Sequence, residues 1–184
     1  MGDRDDVWYR PDLFYRDGFP EGITSAVRAA PQVRDFIREE IGAVPHDLIL
    51  EIGPGDLAVA DGIGTVVYLD VVRTFLARFP GPRVQADLFA APFEPGTFDV
   101  VVAADVLTHV RPARRRAAVE AMATLGRNVV LFNPEAGSES VPGSRVISHL
   151  IPIALDEMGF TVTTREFVAR TGPDWRMLLF TGRR

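Results

Sequence analysis

The chain of 184 residues contains no cysteine and no lysine, and each absence excludes a class of chemistry. Without cysteine there is no disulfide bond, no thiolate nucleophile and no zinc–thiolate site. Without lysine there is no Schiff-base enzyme and no Walker-type phosphate site, because both need a lysine amine. The three histidines, His46, His109 and His149, are too widely spaced to suggest a metal site. We therefore expect no bound metal.

The chain also has little positive charge and no long apolar run. Its net charge of −5 disfavours binding to nucleic acid or to an anionic membrane surface. No apolar run approaches the roughly 20 residues that span a bilayer, and the charged start Met1–Asp6 does not resemble a signal peptide. We expect one cytoplasmic domain over residues 1–184, in which residues 1–22 form an aromatic arm or lid. A homodimer is a further possibility.

Strand-like and helix-like segments alternate along most of the chain. Strands are predicted at His46–Ile52, Thr65–Asp70, Arg83–Ala86, Phe98–Ala103, Asn128–Phe132, Phe160–Arg170 and Trp175–Thr181. Helices are predicted at Thr24–Ile41, Val71–Arg78, Arg111–Leu125 and Val146–Met158. The fold class is therefore α/β: a Rossmann-like, seven-stranded, mostly parallel sheet with helices on both faces and a C-terminal antiparallel hairpin.

The turn after the first predicted strand has the composition of a cofactor site. Gly53 and Gly55 carry no Cβ, so the backbone there can approach a ligand closely. Asp70, at the end of the next strand, is where a ribose presents its hydroxyls. A short helix is expected at Leu57–Asp61, with its N-terminal amides facing the ligand. By itself this pattern also fits a dinucleotide-binding unit and an NAD-dependent oxidoreductase.

Three further features narrow the interpretation. Glu51 lies two residues before the first glycine, Ala86-Asp87-Leu88 follows the short third strand, and an apolar strand leads into Ala104-Asp105 and the segment up to Val110. Together with the glycine turn, these segments resemble the class I S-adenosylmethionine (SAM)-dependent methyltransferases. The resemblance runs from about Leu48 to Phe132 and does not identify a substrate.

The resemblance implies roles for the residues around the glycine turn. Gly53 and Gly55 would pack against the methionine part of SAM, and Glu51 would help to hold its ammonium group. Asp70 would accept hydrogen bonds from both ribose hydroxyls, with Val71 beside it in the cofactor site.

The resemblance also implies roles for the segments after the third and fourth strands. Asp87 would accept a hydrogen bond from the adenine amino group, and the backbone N–H of Leu88 would donate to the adenine ring. Ala104 would offer its backbone carbonyl to the ammonium group. Asp105 and His109 would line the pocket floor near the methyl group.

Three residues, one of them within the segment after the fourth strand, are candidates for contact with a methyl acceptor. His109 is the candidate general base, because an imidazole can take a proton from a substrate hydroxyl near neutral pH; the alternative is a packing role at the start of the following helix. Tyr15 is the best polar contact in the arm. Asn133 positions a substrate or simply ends its strand.

We expect a SAM-dependent methyltransferase that acts on a small molecule and releases S-adenosylhomocysteine (SAH). The expected accepting atom is oxygen, with nitrogen or carbon as alternatives. A second hypothesis is a protein that binds SAM or SAH without methylating, as a regulatory subunit or an enzyme for another reaction. An NAD-dependent oxidoreductase is a third hypothesis, disfavoured because a Tyr–Lys catalytic pair is impossible without lysine.

Overall fold

A computed structural model describes residues 10–11, 15–16, 31–136, 144–169 and 175–184. The strands are β1 (Leu48–Ile52), β2 (Thr65–Asp70), β3 (Arg83–Gln85), β4 (Phe98–Ala104), β5 (Gly126–Ala136), β6 (Thr161–Ala169) and β7 (Trp175–Arg183). The described α-helices are α1 (Pro31–Gly42), α2 (Arg73–Leu76), α3 (Arg115–Leu125) and α4 (Ser144–Glu157). Single 3₁₀ turns lie at Leu88–Ala90, Leu107–His109 and Pro112–Arg114.

All the strands form one sheet in the order β3-β2-β1-β4-β5-β7-β6. The first five strands in this order are parallel, and β7 runs antiparallel to both β5 and β6. The predicted fold class, including the C-terminal hairpin, is therefore confirmed. The strand order reverses between β1 and β4, and ligands of open α/β sheets bind beyond the carboxyl ends of the strands at such a point.

Two apolar layers cover the sheet because successive side chains of a strand point to opposite faces. On β1, Ile49 packs into the layer that contains Val33, Ile37 and Ile41 of α1. Its neighbours on the chain, Leu50 and Ile52, pack into the opposite layer with α3 and α4. Among the described residues, no helix is long and apolar enough to cross a membrane.

Glu40 attaches α1 to the C-terminal hairpin. Its side chain is buried and accepts hydrogen bonds from Arg165 Nη1 at 2.7 Å and Thr181 Oγ1 at 2.9 Å. Burial raises the pKa of Glu40, but the hydrogen bonds from Arg165 and Thr181 outweigh it and hold the pKa below its ordinary value. The helix is thereby fixed over the face of the sheet on which the loop after β1 lies.

The prediction of a helix at Leu57–Asp61 is wrong. Residues 55–63, all of which the structure describes, form turns and bends instead. Backbone groups that a helix would pair internally are bound by side chains here: the Glu51 carboxylate accepts the N–H groups of Val59 and Ala60, and Arg38 donates to two carbonyl oxygens.

Other predicted bounds differ by a few residues or fall outside the described part of the chain. β1 begins at Leu48 instead of His46, α2 is a single turn, and β5 is longer at both ends than predicted. The predicted helix segment 24–30, most of the arm at residues 1–22, and the connections 137–143 and 170–174 lie outside the described residues.

Candidate functional site

The glycine turn packs directly against the residues that follow β4. Gly53 and Gly55 both have left-handed backbone, with φ of 62° and 60°, which glycine adopts without a steric penalty. The N–H of Gly53 donates to the Leu69 carbonyl of β2 at 2.8 Å. A Cβ at Gly53 would come within 2.7 Å of Val106 Cγ2. No residue with a side chain fits at this position without displacing Val106.

Asp70 connects the end of β2 to the glycine turn. Its carboxylate is buried and accepts a hydrogen bond from the N–H of Val72 at 2.8 Å, with further bonds from the N–H groups of Gly55 and Val71. Burial raises the pKa of Asp70 to about 6, although these backbone donors act in the opposite direction. The predicted ribose-binding carboxylate therefore lies within hydrogen-bond reach of the predicted glycine turn.

Glu51 is a buried carboxylate below the same turn. Its two oxygens accept the N–H of Val59 at 2.7 Å and the N–H of Ala60 at 2.8 Å. Burial raises the pKa of Glu51 to about 7 despite these two bonds. Since both oxygens already hold the loop, the structure gives Glu51 a structural position here. The role of Glu51 as a partner of an ammonium group, which the resemblance implies, stays a prediction.

Asp105 adds a third carboxylate, directly after Ala104 at the end of β4. It has left-handed backbone with a φ of 59°, a conformation that few residues other than glycine, asparagine and aspartate adopt readily. The Thr108 hydroxyl donates to the Asp105 carboxylate at 2.9 Å, and the Asp105 N–H donates to the Phe132 carbonyl at 3.0 Å. Burial raises the pKa of Asp105 to about 7, which Thr108 only partly offsets.

Tyr15 and His109, which are 94 residues apart in sequence, are in contact. The Tyr15 hydroxyl and His109 Nε2 are 3.1 Å apart, within hydrogen-bond distance, and the two rings meet edge to face with centroids at 5.3 Å. Burial raises the pKa of Tyr15 above its ordinary value, and the charges of Asp105 and Asp70 raise it further. The phenol therefore stays protonated, close to both acidic residues.

The segment after β3 forms a small capped turn. Asp87 is exposed, and its carboxylate accepts the N–H of Phe89 at 3.0 Å, which caps the 3₁₀ turn that begins at Leu88. The Arg114 guanidinium lies 3.6 Å above the centroid of the Phe89 ring. The structure shows Asp87 as a cap, and the adenine contact that the resemblance implies stays a prediction.

Asn133 is a candidate that the structure places in the interior. It is 1% exposed, and its Nδ2 donates to Ser148 Oγ at 2.9 Å, which connects β5 to α4. Its burial favours the structural alternative over a substrate contact. His149 is exposed on α4.

Several residues of the site were not identified from the sequence. Val106 packs on Gly53, Thr108 binds Asp105, and Arg38 binds the loop after the glycine turn. A valine, a threonine and one arginine among twenty basic residues carry no local motif. Only the sheet order, which places β1 next to β4, could have indicated the first of them.

The assembled site is a partly desolvated turn surrounded by carboxylates, with a Tyr–His pair at its edge. Asp70 and Asp105 lie at the ends of β2 and β4, on either side of the turn that follows β1. Such an arrangement favours a ligand that carries positive charge and hydroxyl groups. Within the described residues, no group of three or more His, Asp or Glu side chains is arranged to hold a metal ion.

Comparison with known families identifies the segment that contains these residues. The sequence model of the family described as "Methyltransferase domain" matches residues 50–132. The match begins within β1 and ends within β5, so it contains the glycine turn and all three buried carboxylates. No curated protein sequence matches the chain.

Solved structures share the fold at low sequence identity. Magnesium protoporphyrin IX methyltransferase from Synechocystis PCC 6803, solved with SAM, is 18% identical, with 100% of each chain covered and a TM-score of 0.65. The 1,6-didemethyltoxoflavin-N1-methyltransferase of Burkholderia thailandensis was solved with 1,6-didemethyltoxoflavin and SAH. It is 15% identical, with 100% of this chain and 91% of that chain covered and a TM-score of 0.69. The [4+2]-cyclase SpnF is 15% identical, with 91% of this chain and 86% of that chain covered and a TM-score of 0.67. Likenesses at this identity establish the fold.

We expect Gly53→Ala to be more destabilising than Gly62→Ala. Both positions have left-handed backbone, so both substitutions cost about 1–2 kcal/mol of backbone strain. Only at Gly53 would the added Cβ also clash with a side chain, that of Val106, because a Cβ at Gly62 meets nothing within 4 Å. Urea denaturation should give a loss for Gly53→Ala that exceeds that of Gly62→Ala by about 1–3 kcal/mol. Equal losses of stability in the two variants would show that a Cβ at position 53 does not clash with Val106.

We also expect the free protein to lose stability as the pH rises from about 5.5 to about 8. Asp70, Glu51 and Asp105 keep protons in the folded state up to about pH 6 or 7, whereas the unfolded chain releases them near pH 4. The folded state binds more protons between these values, so the free energy of unfolding falls across this window. Denaturation curves at the two pH values measure the difference.

Asp105→Asn is the matched variant for this measurement. Asparagine tolerates the left-handed backbone of Asp105 but does not titrate. The loss of stability between the two pH values should shrink by about 1–2 kcal/mol in the variant. The same pH dependence in both proteins would contradict the assignment of a raised pKa to Asp105.

Proposed function

We propose that the chain is a class I SAM-dependent methyltransferase and that it transfers the methyl group of SAM to an oxygen atom of a small-molecule acceptor. The match of the methyltransferase-domain model to residues 50–132 supports the family and the cofactor. The acceptor class and the residue roles are our proposal. They are argued from the site in the following paragraphs.

The observation that carries the proposal is the acidic lining of the glycine turn. SAM is positively charged at its sulfonium and ammonium groups, so Asp70 and Asp105 provide an attractive field for it. NAD instead carries a negatively charged pyrophosphate, which Rossmann sites bind at a helix N-terminus. Residues 55–63 form no such helix. The charge and the backbone of this turn therefore favour SAM over NAD.

The residues of the site fit the parts of SAM. Gly53 leaves open the space that a Cβ would fill, and Asp70 has acceptor capacity for ribose hydroxyls beyond the backbone donors it already binds. Ala104 has a carbonyl at the exit of β4, and Asp87 with the Leu88 N–H forms an exposed edge for adenine. SAM, when bound, supplies an activated methyl group, so the protein contributes mainly positioning and exclusion of water.

The Tyr15–His109 pair supports oxygen as the accepting atom. Because the raised pKa keeps the phenol protonated, its O–H donates to His109 Nε2 while its oxygen accepts a hydrogen bond from the acceptor hydroxyl. As the acceptor oxygen gains the methyl group, its proton passes to Tyr15 and the Tyr15 proton passes to His109. In this relay His109 is the general base and Tyr15 contacts the acceptor. These are the roles that the sequence analysis predicted for the two residues.

The size and charge of the protein support a small acceptor. Tyr15 packs on Phe75 with ring centroids at 5.6 Å and is 6% exposed, so the edge of the site is covered. The net charge of −5 disfavours a nucleic-acid acceptor. Two of the structural neighbours are methyltransferases for magnesium protoporphyrin IX and for a toxoflavin precursor, both small molecules.

The proposed cofactor is tested by calorimetric titration with SAM, SAH and NAD. We expect micromolar binding of SAM and SAH and no binding of NAD. Asp70→Asn should weaken SAM binding more than tenfold, because a charge-assisted hydrogen bond is worth about 1.5–3 kcal/mol. Asp156→Asn removes an exposed carboxylate from α4 and serves as the control with unchanged affinity. If Asp70→Asn binds SAM like the wild type, the ribose site lies elsewhere.

The proposed relay predicts that His109→Gln and Tyr15→Phe reduce turnover without weakening SAM binding. For an acceptor found by SAH release in a screen of phenols and hydroxy acids, kcat should fall by about 10²–10⁴-fold. The Kd for SAM should stay within about threefold of the wild type. His149→Gln changes an exposed histidine on α4 and should leave both quantities unchanged.

The two variants also distinguish the proposal from its alternatives. Full activity of His109→Gln would mean that the acceptor needs no base at this position. Tight SAM binding by the wild type with no SAH release from any acceptor would favour a role in which the cofactor is bound but its methyl group is not transferred.

A further inference from the structure

The loop after the glycine turn is held by side chains from three elements. Residues 55–63 lack a helix of their own. Glu51 of β1 accepts the N–H groups of Val59 and Ala60 at 2.7 and 2.8 Å. Tyr68 of β2 donates its hydroxyl to Asp61 Oδ1 at 3.2 Å.

Arg38 of α1 holds the same loop from the other side. Its Nη1 donates to the Val59 carbonyl at 3.1 Å and to the Asp61 carbonyl at 2.6 Å. Val59 is therefore bound at both of its backbone groups, its N–H by Glu51 and its carbonyl by Arg38. Arg38 lies 21 residues from Val59 in sequence, so this bond joins two separate elements.

We propose that Arg38 is a positioning residue for the cofactor site, which acts by clamping residues 59–61 so that the glycine turn keeps its shape. The proposal rests on SAM being the ligand of that turn. It differs from the roles given to Asp70 or Glu51, because Arg38 belongs to α1 on the face of the sheet and donates to carbonyl oxygens of the loop.

The physical argument concerns how the turn is kept rigid without a helix. In a helix, each carbonyl in the loop would accept a bond from an N–H four residues later. Here the Arg38 guanidinium supplies donors to two carbonyl oxygens at once, a geometry that its planar group favours. Only three residues separate Val59 from Gly55, whose N–H binds Asp70. Motion of the clamped residues is therefore transmitted to the turn and to Asp70.

Arg38 also compensates charge within this cluster. The Glu51 carboxylate binds the amides of two clamped residues, and Asp61 is the third clamped residue. The charge of Asp61 raises the pKa of Glu51, whereas the charge of Arg38 lowers it, although both effects are smaller than that of burial. Removal of Arg38 would favour protonation of Glu51, and a protonated carboxyl is a weaker acceptor for the two loop amides.

The test compares Arg38→Met with Arg38→Lys in the full chain. Methionine removes every donor, and we expect the Kd and the KM for SAM to rise by roughly tenfold while kcat at saturating SAM is retained. Lysine keeps the charge and an ammonium donor but lacks the planar guanidinium, so the rise should be smaller. Arg116→Met is the matched control, since Arg116 pairs with Glu120 and Glu157 on the surface of α3 and α4.

Amide hydrogen exchange supplies a readout that needs no ligand. In the free protein, Arg38→Met should speed exchange at the Val59 and Ala60 amides by at least roughly tenfold, with no change at Val101 in the centre of β4. Arg116→Met should leave all three amides as in the wild type. If Arg38→Met does not fold, SAM binding and amide exchange are both measured on Arg38→Lys.

The outcomes separate this inference from the proposed function. Wild-type protein that binds no SAM would refute the proposed function, and the exchange data would still decide whether Arg38 clamps the loop. Unchanged exchange in Arg38→Met would overturn the clamp. Faster exchange with an unchanged Kd for SAM would overturn the positioning role, because the loop would then not control the turn.

Discussion

The bonds from Val59 and Ala60 to the buried Glu51 carboxylate are the interaction on which the candidate site depends. They satisfy backbone donors that have no helix to pair with, so the chain can leave β1 in a tight turn and return to β2 within a short loop. The turn then contacts the exit of β4 through Gly53 and the end of β2 through Asp70. One buried side chain thus organises the ends of three strands.

The same region holds more buried negative charge than stability alone would favour. Desolvation raises the pKa of Asp70, Glu51 and Asp105, which means that ionising them in the free protein is costly. A cationic ligand reverses this cost, because it interacts only with the ionised forms. The site therefore gives up some stability of the free protein in favour of affinity for a positively charged cofactor. This balance is typical of a binding site and not of a structural core.

The Tyr15–His109 contact shows how the acceptor side is built separately from the cofactor side. The cofactor residues come from strand ends, whose positions follow from the sheet. Tyr15 comes from the N-terminal part of the chain and meets His109 at the end of the 3₁₀ turn that follows β4. Neighbours that share the fold include two methyltransferases and a cyclase. The sheet fixes the proposed cofactor residues at the ends of its strands, whereas Tyr15 and His109, to which we assign the acceptor chemistry, are brought together by packing.

The amino-acid sequence by itself determined the order of strands and helices, the glycine turn and the carboxylate at the end of β2, because these depend on periodicity and on neighbours a few residues apart. It also predicted Tyr15 and His109 individually. It did not predict their contact, the burial of Asn133, or the replacement of a helix at residues 57–61 by bonds to Glu51 and Arg38. Those features depend on distances between side chains that are far apart in sequence. The packing of α1, α4 and the Tyr15 segment against the sheet fixes such distances.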